Sequence, residues 1–225
     1  MSKPRLPNPR PAAITLLALA VLTLFAMLHH PTIGAHAIEE ALAEIQRERG
    51  LNGLIHGAMI LFVLLYHWCF SVLSSWLGAS RAIVALARLA LHLGVAAYVG
   101  AALVSGFAVP ELASRIDPSA EGLRTVLLAL YSTNQALAKL GTVAFGGAIV
   151  LWGLAILPLG NRSALGRTVG AVGVLAGAVM ILGLAFGVWS LDVAGMTLVV
   201  VILGCWACAA AAWLWRQPWH ASADE

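Results

Sequence analysis

Six blocks of apolar residues, nearly free of charge and divided by short charged segments, constrain what this chain can fold into. They run over about 12–28, 53–77, 82–109, 138–157, 168–188 and 193–215, and the fourth has an outward extension reaching back to 123. A water-soluble domain of 225 residues has too little interior for a chain that is 61% hydrophobic and 10% charged. A bilayer core about 30 Å thick selects uninterrupted apolar runs of about 18 residues or more. Backbone amides have no water to bond there, so the spans are helices. Strands of about ten alternating residues, the mark of a membrane barrel, do not occur. The expectation is an all-α polytopic bundle of about six spans, forming one integral membrane domain over 1–225.

Orientation follows from the positive charges. Lys3, Arg5 and Arg10 precede the first block, Arg81 and Arg88 lie at the second connection, Arg162 and Arg167 at the fourth, and Arg216 follows the sixth. The alternate connections carry Glu39, Glu40, Glu44 and Glu48, then Glu111, Asp117 and Glu121, then Asp192. Both termini are therefore expected inside, with Trp76, Trp213, Trp215 and Trp219 as an inner interfacial belt. The net charge of +3 is spent on topology. No basic stripe with aromatic neighbours is present, so nucleic acid is not an expected partner; the bilayer is.

The basic start, the first apolar block and Ala35-His36-Ala37 together look like a signal sequence with a cleavage site. The block is long for a signal, so retention as a signal anchor is the expectation and cleavage the alternative. From 123 to 157 there are 35 residues, about 52 Å of helix, so the fourth helix should project beyond the outer face or tilt strongly. The segment 37–49 reads as a short amphipathic helix on that face, with Ile38, Leu42 and Ile45 on one side. Gly173 and Gly177, and Gly183 and Gly187, form G-x-x-x-G steps. Such steps let helices approach closely, here within the bundle, with dimerisation as the alternative.

Ionisable side chains within a bilayer are costly and mark candidate sites. The second connection centres between Ala79 and Ser80, and His67 and His92 are equally far from it. In an antiparallel hairpin they reach similar depth, with Arg88 one turn from His92. Two imidazoles so placed could ligate a b-type haem, with Arg88 near a propionate, or another metal; interhelical polar contacts are the plainer alternative. At the outer ends of the first two helices, His29, His30, His36, Glu39, Glu40 and His56 gather. From these, His36, Glu40 and His56 form the candidate metal set, since imidazole and carboxylate suit zinc, although no H-E-x-x-H spacing is present. Tyr131, Gln135 and Lys139 rise by single turns along the fourth helix and form a candidate ligand-binding set, with snorkelling of Lys139 as the alternative. Cys205 and Cys208 are formally C-x-x-C but lie well inside the last helix, as small apolar filler would. No P-loop, nucleophile elbow or intramembrane carboxylate pair occurs.

The run Asn134 to Leu157 (NQALAKLGTVAFGGAIVLWGLAIL), with the His56 segment GLIHGAMILFVLLY, resembles uncharacterised bacterial multi-pass inner-membrane families. The resemblance implies a bacterial inner membrane and assigns no activity. The leading expectation is a non-enzymatic integral membrane protein that binds or passes a small ligand near the outer face. The alternatives are a b-type haem electron-transfer protein using His67 and His92, and an outer-face metal-dependent enzyme. A homo-oligomer, or a subunit of a larger membrane complex, would carry the same pattern.

Overall fold

The computed structural model describes residues 6–32, 38–117, 120–158 and 163–218. Those residues form helices and no strand. The spans are α1 (Pro9–Leu28), α3 (Arg49–Leu77), α4 (Ala82–Leu103), α6 (Leu123–Ile156), α7 (Ala164–Ala185) and α8 (Val193–Trp215). The short helix α2 (Ile38–Arg47) follows α1, and α5 (Val109–Arg115) prolongs α4 through a π-helical turn, Val104–Ala108. Six of these helical segments are long and apolar enough to cross a membrane. The chain is a multi-pass membrane protein in contact with lipid. Phe25, Leu61, Leu64, Leu89, Leu175 and Leu182 are exposed on its sides, an apolar surface that hydrocarbon accepts and water would not.

Each span packs chiefly against its neighbours in the chain, and α8 returns to α1, so the six close into a ring. The start of α1 and the end of α8 lie at one end of that ring. There Arg10 sits over the Trp215 ring at 5.6 Å, Trp76 Nε1 donates to Pro7 O (3.0 Å), and Arg81 reaches Ala155 O (3.5 Å). At this same end Gly78 stops α3 with φ +88°, a backbone angle that glycine adopts without steric cost. α2, α5 and the start of α6 lie at the opposite end.

Inside the ring the terminal half is solid and the other half is hollow. The filling is aromatic: Phe70 lies 5.0 Å from Trp152 and 5.3 Å from Trp206, and the two indoles stack at 5.9 Å. Trp152 Nε1 donates to Ser74 Oγ (3.0 Å), which removes the cost of burying that N–H. The α6–α7 seam is backbone against backbone. A Cβ on Gly177 would stand 2.3 Å from Gly146 O, and one on Gly153 2.7 Å from Gly170 O. Gly173 receives the edge of Trp206, and Gly183 lies under the Trp189 ring. Gly173, Gly177 and Gly183 are thus occupied within the chain.

α6 is one continuous helix of 34 residues, about 51 Å long. Its buried positions are concentrated from Ala138 onward. At its start Leu42 of α2, Ala113 of α5 and Leu123 form a small separate core, with Ile45 packed against it. Gln46 Nε2 donates to Ala113 O, and Arg49 and Arg115 both pair with Glu111. The side chain of Ile38, and all of 33–37 with the Ala35-His36-Ala37 motif, lie outside the described residues.

The third block departs from the sequence reading, which ended it at Val109. The helix instead runs on through Pro110 to Arg115 by widening first. Val109 N–H donates to Val104 O, five residues back. The next donor in that register would be Pro110, which has no N–H and whose ring disfavours an α-helical carbonyl behind it. Ser105 O is thereby released from the helix and accepts instead from Asn52 Nδ2 of α3 (2.9 Å). π-bulges of this kind re-aim the groups around them, and this one abuts His56. A Cβ on Gly106 would stand 2.3 Å from the His56 Cβ.

Candidate functional site

The hollow half of the ring is a cavity of about 580 Å³ bounded by α1, α3, α4, α6 and α8. Its walls are apolar, and three of the chain's five methionines, Met27, Met59 and Met196, line it. Their unbranched side chains can adapt to varied shapes. Phe145 and Leu203 line it deeper, and Tyr66, stacked on Phe70 at 5.7 Å, joins it to the aromatic filling. A second compartment of about 270 Å³ adjoins it on the α2–α5 side, lined by Glu44, Glu48, Asn52 and Pro110 among others. His30, His56, Ser105, Tyr131 and Asn134 line both compartments. They form the neck between them.

Three polar features stand out. The first is Tyr66, 2% exposed, whose hydroxyl has no hydrogen-bond partner. The neighbouring Thr23 donates to Leu19 O (2.6 Å), and its oxygen faces the Tyr66 hydroxyl without closing a full hydrogen bond. Tyr98, on the same cavity, is satisfied: its hydroxyl meets Thr142 Oγ1 at 2.8 Å. Buried hydroxyls are nearly always paired, so Tyr66 is the exception that needs a reason.

The second is the neck itself. His56 is 5% exposed, its Nδ1 is 2.9 Å from Asn52 O, and its Nε2 is 3.4 Å from His30 Nε2. His30 Nδ1 is 2.8 Å from Pro31 O. Asn52 therefore does two jobs, taking up the carbonyl freed by the π turn with its side chain and orienting His56 with its own carbonyl. Burial holds the His30 imidazolium below its usual pKa, although the Pro31 carbonyl works the other way.

The third is the rim at the start of α8. Asp192 caps that helix by accepting from Gly195 N–H (2.8 Å) and from Ser190 Oγ (2.7 Å). These bonds hold its carboxyl below the usual carboxylate range. Gln135 Nε2 donates to Leu191 O (3.2 Å), tying α6 to the same rim.

The residues singled out in the sequence fall differently. Tyr131 and Gln135 line the cavity, but Lys139 is exposed and does not. Each i to i+4 step turns a helix about 40° past a full circle, so two steps carry Lys139 off the cavity face. His56 belongs to the site. Glu40 is exposed on α2 and lines neither compartment, whereas Glu44 and Glu48 do. His36 lies outside the described residues. The partner of His56 is His30, a member of the outer cluster that the sequence did not rank above its neighbours.

His67 and His92 are adjacent, with ring centroids 4.9 Å apart. His67 Nε2 is enclosed without a partner, while His92 is exposed on the lipid-facing side of α4 and Arg88 is half-buried beside the pair. Rings that close leave no room for an iron atom and a porphyrin plane between them, so as arranged the pair does not fit axial ligation of haem. Cys69 is buried, but Cys205 and Cys208 are exposed on the surface of α8 rather than filling the interior. Among the described residues no three His, Cys, Asp or Glu side chains converge on one point.

No protein-family model, curated protein or solved structure matches this chain.

Proposed function

We propose that this protein binds a small amphiphilic molecule in the hollow half of its helical ring. The apolar body lies between α1, α3, α4, α6 and α8, and the polar end faces the neck. The observation that carries this reading is the cavity itself, apolar-walled, set between five helices and lined by three methionines, with the unpaired Tyr66 hydroxyl beside it. A volume near 580 Å³ falls in the range of ligand sites, about 300–1,000 Å³, which are likewise mostly apolar with a few placed polar groups. The aromatic filling beneath it favours binding over passage. The alternating Lys and Arg connections support placing the cavity mouth outside and both chain termini inside, and the resemblance to bacterial multi-pass families supports an inner membrane.

Tyr66→Phe separates this reading from a packing role. Removing an unsatisfied buried hydroxyl should leave the free protein as stable as before or about 1 kcal/mol more stable. Titration of the detergent-solubilised protein with a fluorescent long-chain amphiphile should nonetheless show affinity about 3- to 10-fold weaker, the worth of one hydrogen bond. Unchanged affinity in a well-folded Tyr66→Phe protein would count against the hydroxyl as a ligand contact.

A further inference from the structure

Two histidine nitrogens that face each other in the neck define a second kind of site. His56 Nδ1 and His30 Nδ1 each lie within 2.9 Å of a backbone carbonyl oxygen. A carbonyl only accepts, so each Nδ1 carries its ring's hydrogen. In the neutral rings both Nε2 atoms therefore present lone pairs, and these stand 3.4 Å apart. The ring centroids are 4.9 Å apart with planes at 69°, and the nitrogens are 3.4 Å apart, so the rings approach each other at their Nε2 ends. Two lone pairs so placed repel unless something electron-poor joins them. A proton shared between them would make only a long, weak bond at this separation.

We propose that His30 and His56 form a two-histidine site for a divalent transition cation of the zinc class at the neck of the cavity. Two zinc–nitrogen bonds of about 2.05 Å at a tetrahedral angle put their nitrogens about 3.4 Å apart. The outer half of each imidazole is arranged as metal-bound histidines are, with the remote N–H held by a carbonyl that fixes tautomer and ring direction. Imidazole suits zinc, copper and nickel and not magnesium or calcium. Glu44 and Glu48 line the compartment on the approach side, each paired with Arg47, so the imidazole pair itself and not a local field carries the site. With no third protein ligand of the usual kinds among the described residues, the remaining positions are left for water or for the polar end of a molecule in the cavity.

The test uses the full chain, purified in mild detergent, stripped with chelator and titrated with Zn²⁺ alone by calorimetry, then with Co²⁺ by absorption. The site predicts saturable binding of one zinc per chain and an intense visible Co²⁺ band of tetrahedral type. His30→Ala and His56→Ala should each weaken zinc by more than the ~10–100-fold that loss of an outer-shell partner costs. His56 packs on Gly106 and its removal can disturb the fold, so His30→Gln, at a half-buried position, is the second variant, with helix content checked by circular dichroism. Absence of saturable binding, binding that survives His30→Gln and His30→Ala, or a weak octahedral-type Co²⁺ spectrum would each overturn the proposal. The zinc titration is independent of the amphiphile titration, so either reading can fail while the other stands.

Discussion

Trp152→Ala should cost about 3–5 kcal/mol of stability, the range for emptying a large aromatic site. Trp152 is fully buried where α3, α6 and α8 meet. Its ring touches Phe70 and stacks on Trp206, and its N–H is satisfied by Ser74 Oγ, which itself donates to Phe70 O (2.8 Å). Truncation opens a void that the ring of helices cannot close, because the α6–α7 seam is already at backbone contact. Trp152→Phe keeps most of the volume and should cost less than half as much. Ser74→Ala leaves the indole N–H unpaired and should cost about 1–3 kcal/mol. Unfolding in mixed micelles with rising dodecyl sulfate fraction reads all three. A loss below 1 kcal/mol for Trp152→Ala would mean that the aromatic filling does not hold the ring together.

Gly177→Leu should be about as damaging, by the opposite mechanism. Even a methyl group at Gly177 would stand 2.3 Å from Gly146 O and 2.7 Å from Val150 Cγ2. The first obstacle is backbone and cannot rotate away. α6 and α7 must separate, and the dispersion contacts along the seam, which replace a hydrophobic drive between helices in lipid, are lost together. Overpacking ordinarily costs about 1–3 kcal/mol; a clash with a helix backbone should reach or pass the upper end. Gly147, on α6 beside Gly146, has nothing within 4 Å of a Cβ. Gly147→Ala should therefore leave stability unchanged or slightly higher. Equal losses at Gly177 and Gly147 would contradict the seam.

The helices were legible because a bilayer imposes a simple rule, that long uncharged runs must be helical, and the rule needs no knowledge of tertiary contacts. That α6 is longer than one bilayer core is thick followed from its residue count alone. The face of α2 showed at Leu42 and Ile45. The π turn before Pro110 was not legible, because whether a proline ends a helix or is absorbed by a wider turn depends on what takes up the freed carbonyl. Here that is Asn52, 53 residues earlier in the chain. The pairing of His56 with His30 was hidden for the same reason: sequence placed a cluster of histidines near one face but could not rank them without the ring closure that sets α1 against α3. Lys139 leaves the cavity face through the slow rotation of an i, i+4 series, and its exposure suits the snorkelling alternative. Tyr66 gave no signal, since a tyrosine in an apolar run reads as core until its hydroxyl is seen to lack a partner.

The cavity is the centre of this account, and filling it is the most direct test. Met59 lines its wall, and Met59→Trp would place an indole in the space assigned to the ligand without touching Tyr66, His30 or His56. Native mass spectrometry of the protein released from mild detergent should show one amphiphilic adduct per chain in the parent protein. The adduct should be absent, or its binding weakened at least tenfold (~1.4 kcal/mol), in Met59→Trp of normal helix content. An adduct retained at full occupancy when the cavity is filled, or a parent protein that neither carries nor accepts an amphiphile, would contradict the account.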